Sequence, residues 1–262
     1  MNPEIEISAL LLMLLLLLPI IAINTVIQLK INKELMVSTV RMILQLIFVG
    51  VYLQFIFTLN HPFINLLYLL VMIIIASMHS IKSSSLKLRP LFLPILISVA
   101  LPQLIILIIF NLLIAGVDNL FEAKFIIPVG GMLLGNCLNG NIIALNSFYE
   151  GIKDDEKRYN YTIVLGASHN QALLPYLRKS IKRAINPTLA SMATIGLVSL
   201  PGMMTGQILA GALPITAIKY QIAIMLAIFS AKYFSIILSL TISRRRGFTP
   251  FNTLNKEIFL NR

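Results

Sequence analysis

Tryptophan is absent from the 262 residues, cysteine occurs once, and only ten residues are acidic. Each shortage excludes something. Without tryptophan, an interfacial aromatic belt has to be built from tyrosines such as Tyr52, Tyr149 and Tyr220. One cysteine, Cys137 in an apolar context, excludes a disulfide framework within the chain and a cysteine metal cluster. No glycine is followed by lysine, so the P-loop that cradles nucleotide phosphates is missing. Any ATP that drives this protein is therefore used by another chain, and no cofactor is expected on this one. His61, His79 and His169 lie far apart, no H-x-x-x-H pair occurs, and no nucleophile stands in a pattern with a base. An enzyme is not expected. Charged residues make up 12%, about half the share usual in soluble domains.

What is abundant is apolar. Such residues account for 58% of the chain and the mean hydropathy is +0.89. Residues 11–18 are nearly pure leucine inside an apolar run over 9–23, and runs of about 20 apolar residues read as membrane-spanning helices. The expected fold is all-α: one polytopic membrane domain over residues 1–262, placed in the cell membrane. Seven spans are predicted, over 8–29, 35–57, 63–81, 91–115, 125–149, 188–211 and 218–243. Glu4 and Glu6 precede the first span without any base, the wrong sign for a signal peptide, so that span is expected to be retained.

The net charge of +11 invites a nucleic-acid partner, and its distribution argues against one. A nucleic-acid binder carries a basic stripe on a soluble face. Here the bases fall in loops between apolar spans: Lys30 and Lys33; Lys82, Lys87 and Arg89; a cluster in the long loop 150–187; and Arg244, Arg245, Arg246, Lys256 and Arg262 at the end. All but Arg41, Lys124, Lys219 and Lys232 of the 21 Lys and Arg residues belong to these segments. Glu4, Glu6, Asp118 and Glu122 lie on the other side. The positive-inside rule then puts the amino terminus outside and the carboxyl terminus in the cytoplasm.

The loop 150–187 is patterned. Asp154, Asp155 and Glu156 suit a helix start, Gly166 suits the left-handed position that ends such a helix, and Ser168 with Gln171 fits a capping box opening the next. Pro175 is expected to break or restart that helix. Beyond it Leu177, Ile181 and Ile185 would line one side, with Arg178, Lys179, Lys182 and Arg183 on another. Two readings stand: a basic helix lying on anionic lipid, and a coupling element gripped by a cytosolic partner.

Two spans carry glycines and amides that a lipid-facing helix would avoid. In "LVSLPGMMTGQILAGALP", Gly202, Gly206 and Ala210 recur every four residues, a face suited to close helix packing. Pro201 removes a backbone hydrogen bond, and Thr205 and Gln207 could satisfy freed backbone or line a path. In span five, Gly131, Gly135 and Asn139 share one stripe, with Asn136 and Gly140 beside it and Asn141 close by. Together they suggest a close-packed interior with a polar route. Met132, Met203 and Met204 could serve as thioether ligands, although methionine mostly fills gaps; the metal site is left unknown. Arg41 and Gln45 lie one turn apart on span two. Lys232 is 13 residues after Lys219 and 12 before Arg244, about 18–20 Å from each by helical rise, near the midplane of its span. Intramembrane charges are functional candidates by default.

"LGASHNQALLP" resembles the EAA loop of ABC-transporter permeases, in which a Leu-Gly-Ala turn carries a helix that seats on the ATPase. Leu165, Gly166, Ala167 and Ser168 match, while residues 160–162 replace the Glu-Ala-Ala. More widely, "VSTVRMILQLIFVGVYL", "PVGGMLLGNCLN", "LGAS" and "GLVSLPGMMTGQILAG…AIKYQI" resemble the FetB-type permease family, in order from Val37 to Gln221. That family covers bacterial iron exporters and membrane subunits of plant aluminium-tolerance transporters. The resemblance implies an ABC membrane subunit, paired with itself and served by a separate cytosolic ATP-binding subunit. Its motifs fall here on Arg41, Gln45, Gly131, Asn136, Asn139, Gly166, Pro201 through Gln207 (Gly202, Met203, Met204, Thr205, Gly206), and Lys219, Tyr220 and Gln221. Lys232 lies outside them. For bacterial members the implied cargo is iron moving outward, for plant relatives a nucleotide sugar. The competing reading from the residues alone is an ATP-independent channel or ion-coupled carrier using Arg41 or Lys232.

Overall fold

The computed structural model describes residues 6–115 and 122–260. Glu4, Asp118 and Arg262, used above for orientation, lie outside them. The described residues form helices and no strands, and six helical spans are long and apolar enough to cross a membrane. The chain divides into two compact units, before and after Asn60.

In the first unit, α1 (Ile7–Leu14) and α2 (Leu17–Val26) form one apolar span. The turn between them has a simple cause: Pro19 has no N–H to donate to the Leu15 carbonyl, which accepts from Leu18 instead. Asn24 donates to Asn32, and Asn32 donates to Thr25 and to the Ile21 carbonyl. This amide clasp closes the turn into α3 (Asn32–Leu59).

The second unit is a bundle of α4 (Pro62–Ser83), α5 (Leu88–Phe110), α6 (Ala123–Asp154), α7 (Glu156–Val164), α8 (His169–Thr194), α9 (Gly202–Leu209) and α10 (Pro214–Gly247). Two side-chain bonds fix its key relation. Asn141 donates to Ser235 and Tyr149 donates to Ser243, each pair separated by 94 residues. A constant offset means that α6 and α10 run parallel. The chain between them must therefore travel back along the bundle, and α8 starts that return: Arg183 near its middle reaches Ser147 of α6 at 3.4 Å.

The basic segments of this unit gather at one end. The tail after α10 pairs with the α4–α5 turn, Lys87 N–H donating to the Ile258 carbonyl and Leu260 N–H to that of Ser85. Lys256 bonds Glu156 at 2.9 Å, Lys153 lies over the Phe259 ring, and Arg244 donates to Asn170.

Three expectations need correction. The predicted span over 188–211 is not one helix. α8 ends at Thr194, Gly196 takes a φ of +83° and donates its N–H to the Ser199 carbonyl, and Pro201 opens α9, which is only eight residues long. The return of the chain along the bundle is thus a broken one. Pro175 does not break α8, which runs through both Pro175 and Pro187; the Gln171 carbonyl freed by Pro175 belongs to an exposed residue, where water can satisfy it. Tyr149 belongs to no interfacial belt. It is fully buried, and its hydroxyl spends its proton on Ser243.

Candidate functional site

The broken traverse opens a cavity of about 620 Å³ against α6 and α10. Asn136, Asn139, Ile142 and Ile143 of α6 line one wall. Pro187, Thr188 and Ser191 of α8, with Ile195, Ser199, Leu200 and Pro201 of the break, line another, and Met225, Ile228 and Lys232 of α10 close it. Lys232 is 4% exposed, and its Nζ donates to Thr188 Oγ1 at 2.7 Å. Gly140 makes room for it: a Cβ there would fall 2.6 Å from Lys232 Cε and 3.0 Å from Ile236 Cδ1. The small residue thus serves a lysine stem, and the ammonium sits inside the bundle instead of snorkelling to an interface.

The predicted residues part company here. Asn136, Asn139 and Pro201 meet at the cavity, and Asn136 also donates to the Met132 carbonyl one turn back. Gly131 packs closely on α4, an added Cβ falling 3.3 Å from Met72 Cε, tighter than an ordinary contact. At Gly135, Gly202 and Gly206 an added Cβ would meet nothing within 4 Å, so among the described residues no packing partner lies on them. Met204 is buried while Met203 and Gln207 are half-buried, and Thr205 returns its hydroxyl to the Pro201 carbonyl. Lys219 is exposed, Tyr220 half-buried and Gln221 buried. Arg41 and Gln45 are exposed on α3 of the first unit, beside a shallow apolar groove lined by Met36, Val37, Val40 and Leu44. Among the described residues no three His, Cys, Asp or Glu side chains gather into a metal-holding group.

At the basic end, α7 and α8 form the helix, glycine turn and helix that the loop pattern predicts. Gly166 has a φ of +91°, and Ala167 N–H reaches back to the Thr162 carbonyl, the bond that closes a helix through a left-handed residue. Ser168 accepts from Gln171 N–H while the Gln171 side chain accepts from Ser168 N–H, a complete capping box. Arg178 is exposed, as is Arg183. Tyr161, Val164 and Leu165 are 65%, 81% and 69% exposed, an apolar patch on a hydrophilic turn.

A ring cluster holds this turn to the end of α10. The Tyr159 hydroxyl donates to the Asn252 carbonyl at 2.7 Å, so the 2.9 Å contact with His169 Nδ1 has the imidazole as donor. Phe248 packs edge-on against the His169 ring. Burial, and secondarily the Tyr176 phenol, push the Tyr159 hydroxyl up to about 12. Burial and then the Arg244 guanidinium lower the His169 pKa, which favours the neutral ring. Burial and Asp155 raise that of Tyr176.

Comparison with known proteins agrees with this architecture. The model of the uncharacterised protein family UPF0014 matches residues 7–248. The chain belongs to this family. A UPF0014 membrane protein of Synechocystis, slr1647, is 34% identical over 209 residues, covering 80% of this chain and 81% of the relative. The Escherichia coli protein named "Probable iron export permease protein FetB" is 32% identical over 227 residues, 87% and 86% of the two chains. Protein ALUMINUM SENSITIVE 3 of Arabidopsis thaliana is 33% identical over 139 residues, 53% of this chain and 51% of its own. No solved structure matches the chain. This UPF0014 protein is thus a multi-pass membrane protein whose relatives include a named permease.

Sequence reasoning missed Thr188, Ser191 and Gly140 as partners of the cavity, and singled out Lys232 without placing it there. The available signal for Thr188 was spacing: Ser180, Ala184 and Thr188 form an i, i+4 stripe of small residues on α8, and all three are buried.

Proposed function

We propose that this chain is the transmembrane permease subunit of an ABC transporter, one permease domain that exports iron with a separate cytosolic ATP-binding subunit, two copies of each. The observation that carries the reading is α8. One unbroken helix of 26 residues bears the capped glycine turn at its start and Pro187, Thr188 and Ser191 of the cavity wall near its end. Ser168 and Thr188 are about 30 Å apart along it by helical rise. A push on the turn is therefore delivered to the cavity without a flexible joint between. The exposed apolar patch of Tyr161, Val164 and Leu165 suits a cleft on the ATPase, which would use the ATP while this chain binds no cofactor of its own. The uncovered face of Gly202, Gly206 and Ala210 suits the second permease copy. The E. coli relative's name supports iron as cargo; a nucleotide sugar is the alternative within the same class.

The test is purification in mild detergent with assay of ATP hydrolysis, with and without Fe²⁺. A copurifying ATPase stimulated by the metal supports both class and cargo. An ATPase indifferent to iron keeps the class and removes the cargo. An intact preparation without any ATPase contradicts the proposal and favours the second reading, an ATP-independent carrier in which Lys232, buried on Thr188, is the coupling charge.

A further inference from the structure

The cavity beside the break has a chemistry that its cargo must meet. Lys232 is 4% exposed, and an ammonium has three donors to place. Thr188 takes one at 2.7 Å. Among the described residues the one ion pair is Lys256 with Glu156, so no carboxylate neutralises Lys232. Buried charges are paired, or they wait for a charged ligand. The remaining polar lining is Asn136, Asn139, Ser191 and Ser199, amides and hydroxyls without an Asp, Glu, His or Cys. That set suits a bare cation poorly and an oxygen anion well.

Two further features point the same way. Gly140 is a slot for the lysine stem, since even a methyl group would lie 2.6 Å from Lys232 Cε; the ammonium's place is built into α6. Pro201 lines the cavity and precedes α9, whose first turn has no side-chain cap. Uncapped N–H groups at the positive end of a helix dipole are the groups that broken helices in transporters offer to anionic cargo.

We propose that this cavity binds an oxyanion, a carboxylate or phosphate group of the cargo, with Lys232 as its charge partner and the Asn136 and Asn139 amides as further donors. The inference rests on the export reading above and deepens it: iron would enter as a carboxylate or phosphate chelate, and a free anionic metabolite would use the same groups. Because Lys232 also bonds Thr188 of α8, an anion that draws on the ammonium acts on the helix that reaches the coupling turn.

The experiment uses the full permease with its copurifying partner in nanodiscs. Radiolabelled citrate, iron-loaded citrate, pyrophosphate and Fe²⁺ alone are the probes, and equilibrium binding is read directly. We expect citrate or pyrophosphate to bind saturably and Fe²⁺ alone not to. Lys232→Gln should weaken that binding at least tenfold, with Lys232→Arg recovering part of it. Asn139→Leu, a change at an exposed cavity residue, should weaken it severalfold and guards against misfolding of the lysine variants. Binding of citrate only when iron-loaded identifies a chelate as cargo; equal binding without iron identifies a free anion. Saturable binding of Fe²⁺ alone, unchanged in Lys232→Gln, overturns the proposal. The two readings fail separately: Lys232-dependent anion binding without an ATPase sinks the ABC class alone, and an ATPase with bare Fe²⁺ binding sinks the anion site alone.

Discussion

The α6–α10 pair and the 195–213 segment are written in the same vocabulary of glycine and small polar residues, yet fold in opposite ways. Where α6 and α10 face each other, glycine means contact. Gly140 faces the Lys232 stem, Gly247 sits where a Cβ would lie 2.5 Å from the Tyr149 ring, and Asn141 and Tyr149 spend their protons on Ser235 and Ser243. In the segment, glycine means freedom of backbone. Gly196 and Gly211 adopt φ of +83° and +95°, Gly202 and Gly206 meet nothing, and Leu197 and Val198 are more than four-fifths exposed. The first region is a fixed frame and the second a wall beside a cavity. The residue type alone does not say which; the partner across the helix does.

Substitutions can break this contrast. The largest effect is expected at Gly140 and Gly247. Gly140→Val or Gly247→Val should lower stability by about 1–3 kcal/mol through overpacking, read as thermal unfolding in detergent, whereas Gly202→Ala should change it by less than about 0.5 kcal/mol. Equal losses at both places would erase the distinction. A transport defect in Gly202→Ala with unchanged stability of the single chain would instead locate the second permease copy. Next comes Tyr149→Phe, which leaves the buried Ser243 hydroxyl without its donor and should cost about 1 kcal/mol. Ser168→Ala removes the hydroxyl that accepts from Gln171 N–H and keeps the backbone N–H that donates to the Gln171 side chain, with a similar loss of about 1 kcal/mol confined to the start of α8; hydrogen exchange across residues 169–173 reads it.

The smallest effect expected is one of pH. The folded state lowers the His169 pKa from its ordinary value of 6.5, so the unfolded hairpin binds more protons once pH falls below 6.5. Stability contributed here is whole above that value, declines as pH drops, and levels off below the folded pKa. Exchange in α7 and the first turns of α8, corrected for its intrinsic pH dependence, should therefore speed up between pH 7 and pH 5.5. The acceleration should vanish in His169→Asn; its persistence there would assign it to another group.

Much of the frame is legible in the sequence. Apolar runs locate the continuous spans, and the basic loops, once folded, do gather at one end of the second unit. Gly166 with the Ser168 and Gln171 box is readable because caps are local, each partner lying within five residues. The break at 195–201 is hidden by averaging: hydropathy over 188–211 sums the end of α8, an irregular loop and α9 into one apolar window. Gly140 with Lys232, and Thr188 with Lys232, are separated by tens of residues and become neighbours only through the parallel register of α6 and α10. Tyr149 misleads for the same reason, since its burial comes from α10 and from Phe259 in the tail.

The central proposal, that the broken segment walls a translocation path worked by α8, is open to direct measurement because Cys137 is the single cysteine. In a Cys137→Ser background, single cysteines at Asn139, Ser191 and Ser199 are treated with a membrane-impermeant maleimide, with Leu93 as a lipid-facing control. Labelling is compared with and without ATP in the complex. The account predicts labelling at the three cavity positions and not at Leu93, from one side of the membrane without ATP and from the other with it. Cavity positions as unreactive as Leu93 in both states would contradict it.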